Sequence, residues 1–299
     1  MAITINTNIS SMIVQKNLSK STMALNTAIE RMTTGYKINH AADNAAGYSI
    51  ARNWEAQISS LDIAAANAAT GADMLSTLED HYALVSSHVQ RVRDLTEQAA
   101  NGTYGTQSLR AIKSEINARL EEIDRIAANC EFSGQYMMDG SLKAGLGIQV
   151  GIDGNDAKSQ IALAGDLFKR GDVKALFLKD DSTTVTDADK AEAREDLAKK
   201  CAGLKSGTTA SSMLATIDDV INTISSRITT LGAARNRIDS AVESIGVQSE
   251  NITSSLSTLR DADVATESSN YIKAQILQQA SATLLATANQ SPSIALNLL

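Results

Sequence analysis

The segment Thr216–Arg260, TIDDVINTISSRITTLGAARNRIDSAVESIGVQSENITSSLSTLR, carries one apolar stripe. It runs through Ile217, Ile221, Ile224, Ile228 and Leu231, then Ile238, Val242 and Ile245, then Ile252, Leu256 and Leu259. The steps alternate 4 and 3 over six heptads and are interrupted only at Arg235 and Ser249. That spacing is a coiled-coil seam, and a seam needs a partner of comparable length. At the helical rise per residue the stripe spans roughly 65 Å, which implies an elongated molecule rather than an ordinary globular domain.

Working outward, the composition supports helix. Only 3% of residues are aromatic, and Pro292 is the single proline. A chain poor in helix breakers and bulky core-formers, but rich in Ala, Ile and Leu, reads as mainly α. The net charge of -7 argues against nucleic acid or an anionic membrane as partner. No run of about 18 apolar residues is present to span a bilayer. The opening MAITINTNISSMIVQKN lacks the basic start and apolar core of a secretory signal, so any export is expected by another route. Cys130 and Cys201 are too few to define a disulfide framework and read as free thiols.

Further stripes precede the long seam. A helix from about Ser10 to Thr33 has Leu18, Leu25 and Met32 seven apart, flanked by Val14, Thr22 and Ile29, and stops at Gly35. A second, from about Asp43 to Asn101, uses Trp54, Ile58, Leu61, Ala65, Ala68, Ala72, Leu75, Tyr82, Val85, Val89 and Val92. A third, from about Ser108 to Asn129, uses Leu109, Ile112, Ile116, Leu120, Ile123 and Ile126. The period then changes to two at Ile148, Val150 and Ile152. Asp153-Gly154-Asn155-Asp156 turns the chain and Ile161 and Leu163 return, which predicts a β-hairpin. A last helix, about Thr266 to Ala288, carries Ile272, Ile276, Leu277, Ala280, Leu284 and Leu285.

Charge is distributed unusually. Residues 1–42 hold five charges (Lys16, Lys20, Glu30, Arg31, Lys37) and residues 260–299 also five, whereas 165–205 hold eighteen, nine of each sign. Chain ends are normally polar and solvated. The inversion implies that the ends are buried in other copies while the middle, including a short solvated helix around Asp187–Arg194 between Ser/Thr-rich loops, faces water.

Several blocks now resemble the bacterial flagellins. They are Ile5-Asn6-Thr7-Asn8; Ala28-Ile29-Glu30-Arg31-Met32 with Thr34-Gly35-Tyr36-Lys37-Ile38-Asn39; Ala42-Asp43-Asn44-Ala45-Ala46-Gly47; Gln90–Leu95; Phe132-Ser133-Gly134; and Ile148–Gly151. Toward the end follow Leu231-Gly232-Ala233, Asn236-Arg237, Asp261-Ala262-Asp263, Gln275–Ala280, Ala288-Asn289-Gln290 and Leu298-Leu299. The resemblance covers nearly everything but about 165–210. Cysteines, Trp54 and Asp94 in place of the commoner Glu depart from the family pattern.

The resemblance implies a helical, self-assembling extracellular flagellar filament that serves motility. Its implied partners are other copies of the chain, an export chaperone on the C-terminal helix within type III export, the hook–filament junction and cap proteins, and the Toll-like receptor that senses flagellin. It implies an inner coiled-coil domain of 1–42 with 260–299, a middle helical-bundle domain of 43–164 with 206–259 bearing the hairpin, and a solvent-facing insert of 165–205. The fold expected is mainly α, an antiparallel coiled-coil bundle whose N- and C-terminal helices pair, with a small β-hairpin region. Leu18, Leu25, Ile29, Met32, Ile272, Ile276, Leu284 and Leu285 are the expected filament-core residues. Termini whose apolar stripes lack a partner are expected to order fully only on assembly.

Arg91, Leu95 and Gln98 fall at i, i+4 and i+7 beside the Val85/Val89/Val92 stripe, and Glu115 follows on the third helix. On residue types alone this is an exposed Arg–Glu pair worth little in stability. The resemblance makes Gln90, Arg91, Leu95, Gln98 and Glu115 a protofilament interface and receptor-binding patch. An Arg beside an apolar anchor is also the composition of a binding hot spot.

No chemistry competes. His81 and His88 have no third ligand nearby, no HExxH occurs, and the glycines at 145, 147 and 151 do not open a helix as a phosphate loop would. Asp261 and Asp263 beside Arg260 read as the charged opening of the last helix rather than paired catalytic carboxylates. No enzyme, cofactor or metal site is expected. The alternatives are a hook–filament junction protein of the same family and a chemoreceptor-type signalling coiled coil; the latter lacks its membrane segment.

Overall fold

The computed structural model describes residues 7–101, 103–153, 159–178, 187–202 and 207–296. The hairpin turn at Gly154-Asn155-Asp156, the Ser/Thr-rich loops and the Cys201 side chain lie outside the described residues. Helices α1 (Ile9–Thr34), α2 (Ala45–Ala100), α3 (Thr106–Ala128), α4 (Val173–Phe177), α5 (Asp187–Ala202), α6 (Gly207–Arg260) and α7 (Val264–Leu296) dominate, with two-stranded hairpins β1–β2 (Glu131–Phe132, Gln135–Tyr136) and β3–β4 (Leu146–Gln149, Gln160–Leu163). The fold is therefore mainly α, and its first and last helices pair. No helix among the described residues is long and apolar enough to cross a membrane.

The chain divides into two compact units. One comprises the residues up to Ser59 together with those from Ser249 onward, and the other comprises Ser60–Gln248. In the first, α1 starts on an Asn8 side chain that accepts the Ser11 N–H at 3.1 Å. It ends on Gly35 at φ 76, the left-handed conformation in which glycine closes a helix without strain.

The second unit holds the core. Tyr82, Val85, Val89 and Val92 of α2, Ile116, Leu120 and Ile123 of α3, and Ile217, Ile224 and Ile238 of α6 are completely buried in one cluster. The α3 stripe is as expected from sequence except at Leu109, which is only half-buried. On α2 the tight line runs through Ala64, Ala68 and Gly71 rather than Ala65 and Ala72. On α6, Val220 and Ala234 join the buried line while Val242 is exposed.

Hairpin β3–β4 docks on α2. Its register sets Leu146 opposite Leu163 and Ile148 opposite Ile161. The period of two therefore buries Ile148, Ile161 and Leu163 and leaves Gly147 and Ala162 outside. A Cβ at Gly71 would lie 2.2 Å from the Ile148 Cδ1, so glycine permits this close approach.

The insert corrects an expectation. It is not simply solvent-facing: Leu167, Phe168, Val173, Leu176, Phe177, Leu197 and Ala198 are buried in the same cluster. Its charges are partly internal. Arg170 and Asp172, each 5% exposed, form a two-pronged pair at 2.9 and 2.8 Å. Asp124 of α3 accepts the Val173 N–H at 2.8 Å and the Arg194 Nη1 at 2.6 Å, tying α4 and α5 to α3. Burial pushes the Asp124 carboxyl up, against the pull of those donors.

Candidate assembly and recognition surfaces

In the first unit α1 and α7 run antiparallel. Asn8 donates to the Ala288 carbonyl at 2.7 Å, Ser11 to Asn289 at 2.7 Å, and Gln278 to Thr22 at 3.2 Å, while Arg31 pairs with Glu267 at 3.3 Å. The contact is made by small residues. Among the described hydrophobic residues of this pair only Ala28 and Ala274 are buried.

The larger apolar residues face outward. Ile29 and Met32 of α1 are exposed, as are Ile272 (53%), Ile276 (60%) and Leu284 (57%) of α7, while Leu18, Leu25 and Leu285 are half-buried. Met12, Ile13, Met23, Val264 and Leu277 extend the exposed set. Isolated apolar residues on a surface are ordinary, but this many large apolar side chains left exposed on two paired helices mark an interface. A groove of about 490 Å³ between the two helices is lined by Lys20, Arg31, Lys273 and Glu267 around small side chains. Asp263 opens α7: its carboxylate accepts the Ala265 N–H at 2.9 Å and the Thr266 hydroxyl at 2.8 Å, and the Thr266 hydroxyl leads the contacts that lower its pKa.

On the second unit, Arg91 Nε and Nη2 both reach the same Glu115 oxygen, at 3.0 and 2.9 Å, with Arg119 Nη2 3.9 Å from it. Gln90 and Gln98 are exposed. Leu95 is not part of this surface. It is 1% exposed and belongs to the core, because it continues the Val85/Val89/Val92 line by one further turn. His88 lies nearby, and burial and then Arg119 depress its pKa. The Arg125 hydrogen bond holds Glu122 low. Sequence reasoning passed over Arg93, which pairs with Asp218 of α6 at 2.7 Å; an i, i+4 carboxylate at Glu97 had no reason to stand out from it.

Two family models account for most of the chain. Residues 5–143 match the bacterial flagellin N-terminal helical region, and residues 214–299 match the bacterial flagellin C-terminal helical region. The chain belongs to the bacterial flagellin family. The flagellin of Serratia marcescens is 39% identical over 350 aligned residues, and that of Xenorhabdus nematophila 37% over 331, each spanning the whole of both chains. Among solved structures, the crystal structure of Bacillus cereus flagellin is similar at a TM-score of 0.44 and 24% identity, covering 60% of this chain and 88% of that one. Flagellins are structural proteins, not enzymes, and the chain is a subunit of the flagellar filament, which lies outside the cell.

Proposed function

We propose that the α1/α7 pair is the element through which the chain polymerises, with an inner domain of 1–42 and 260–299 lining the filament core. A middle domain of 43–164 and 206–259 surrounds that core, and the 165–205 segment stays outermost. One observation carries this reading: among the described residues of the two terminal helices only Ala28, Ala274, Ser281 and the Arg31-paired Glu267 are buried, while Ile29, Met32, Ile272, Ile276 and Leu284 stay exposed. Copies above, below and beside would cover those stripes, with association energy scaling at about 25 cal/mol per Å² of apolar area before entropic losses. Repeated heterologous contacts that do not close on themselves produce a filament rather than a ring.

The same uncovered stripes suit export in an unfolded form through the type III pathway, with a chaperone masking α7, and later contact with the junction and cap proteins. For the monomer, the patch of exposed Gln90, Arg91 and Gln98 with half-buried Glu115 supports engagement by the flagellin-sensing Toll-like receptor.

The assembly test is deletion of residues 280–299. Loss of filaments with a soluble, helical remainder is expected, and normal filaments would refute the reading. Arg91→Ala with Glu115→Ala, assayed in receptor reporter cells, is expected to cut signalling; an unchanged response would remove the receptor from the proposal. Leu95→Ala is unsuitable there, because it opens the core.

A further inference from the structure

The non-helical stretches joining α1 to α2 and α6 to α7 are fastened to each other inside the first unit. The Arg260 carbonyl accepts the Lys37 N–H at 2.7 Å, and the Gly35 carbonyl accepts the Ala262 N–H at 2.8 Å. Tyr36 and Asp261 thereby face each other across an isolated antiparallel bridge. Lys37 Nζ adds a bond to the Thr258 carbonyl at 2.9 Å. On its own side, the α1–α2 stretch is shaped by Asp43, which accepts the Asn39 and His40 N–H groups at 3.1 and 3.0 Å.

One side chain spans these pieces. The Arg260 guanidinium sits 4.1 Å from the centre of the Tyr36 ring and pairs with Glu55 near the start of α2. Its side chain is 16% exposed. Arg260 ends α6, Tyr36 belongs to the link leaving α1, and Glu55 belongs to α2, so one planar group joins three segments, and its own backbone carbonyl holds the α1–α2 link a second time through Lys37. Neither bond would occur by helix propensity: each joins residues more than two hundred positions apart.

We infer that Arg260 is a positioning residue for assembly: clamped between Tyr36 and Glu55, it fixes the angle at which the α1/α7 pair continues from the adjoining ends of α2 and α6. This rests on the reading that α1/α7 is the polymerising element. Its contribution is geometric rather than a large gain in stability. Withdrawing a charge from water offsets much of the attraction it gains, and the Arg260 Nε is buried with no hydrogen-bond partner among the described residues. The planar fork and the ring face, in contrast, tolerate few relative orientations. In a polymer built by repeating one contact, an angle left loose in each subunit recurs at every subunit, so the latch sets how uniform the filament is.

The test uses the full chain carrying Arg260→Ala, Arg260→Lys, Tyr36→Phe or Tyr36→Ala. Hydrogen exchange in the monomer reads the latch through the Lys37 and Ala262 amides, and electron microscopy of seeded polymer reads filament pitch and its spread. Arg260→Ala and Tyr36→Ala are expected to speed exchange of those two amides at least tenfold with α3 unchanged, and to give filaments of altered or variable pitch or none. Arg260→Lys, which keeps the charge but loses the planar fork, should leave protection and pitch disturbed nearly as much as Arg260→Ala. Tyr36→Phe, which keeps the ring, should match the parent. Unchanged latch amides, equal loss of protection throughout the chain, or parental filaments from a loosened latch would each overturn the inference. The exchange result does not depend on polymerisation, so it separates failure of the latch from failure of the assembly reading.

Discussion

Replacing Ile272, Ile276 and Leu284 together with glutamine separates what α7 contributes to the isolated chain from what it contributes to the polymer. These side chains are 53, 60 and 57% exposed in the single copy, whereas the half-buried Leu18, Leu25 and Leu285 are left intact. Burying a whole Ile or Leu side chain is worth about 1.5–3 kcal/mol, so covering the exposed fraction yields about 1–1.5 kcal/mol each and about 3–5 kcal/mol for the three. At about 1.4 kcal/mol per decade, the triple variant should raise the critical concentration by roughly two to three and a half orders of magnitude. The monomer should barely change. Glutamine matches isoleucine and leucine in helix propensity to within a few tenths of a kcal/mol, and substitutions at exposed sites usually stay within about 0.5 kcal/mol. The assay is sedimentation after seeding across a concentration series, beside thermal unfolding of unseeded protein. A critical concentration that stays put, or a monomer melting temperature that falls in step with it, would refute the reasoning.

Three other outcomes test separate parts of the structure. Phe168→Ala, at a completely buried position of the insert, should cost about 3–5 kcal/mol in urea unfolding if the insert is part of the core, and under about 0.5 kcal/mol if it is merely solvated. Acid should fray the start of α7. The folded pKa of Asp263 lies below the unfolded value of 3.8, so its contribution is complete above pH 3.8 and lost as pH falls further; amide exchange at Ala265 should show this, and Asp263→Ala should abolish the pH dependence. Burial pushes the Cys130 thiol up to about 12, so peptide mapping should find it unalkylated by iodoacetamide at pH 8 in native protein and labelled in urea; rapid native labelling would contradict the packing around it.

How much of this was legible from sequence depended on how distinct each stripe was. On α3, isoleucine and leucine alternate with charged neighbours, so Ile112 through Ile126 identified the buried face directly. On α2, alanines fill most positions around 64–72, and a seam of identical small residues has no preferred line by composition; contact with Ile148 at Gly71, a long-range fact, selects it. The 165–205 segment misled for the opposite reason. Its charge density concealed Phe168, Leu176 and Phe177, because a charged residue looks solvated in sequence even when, like Arg170, it is buried against its own partner Asp172. Arg260 was read only as a neighbour of the α7 opening. Its partners Tyr36 and Glu55 lie more than two hundred residues away, and no local pattern links them.

Hydrogen exchange of α1 and α7, measured in dilute monomer and again in seeded filaments, bears most directly on the claim that the two ends are completed only by neighbouring copies. The expected result is rapid exchange along both helices in the monomer and slowing by orders of magnitude in the polymer, with the α3 core around Ile116 and Leu120 protected in both. Terminal helices already as protected as α3 in the dilute chain, and unchanged on polymerisation, would contradict it.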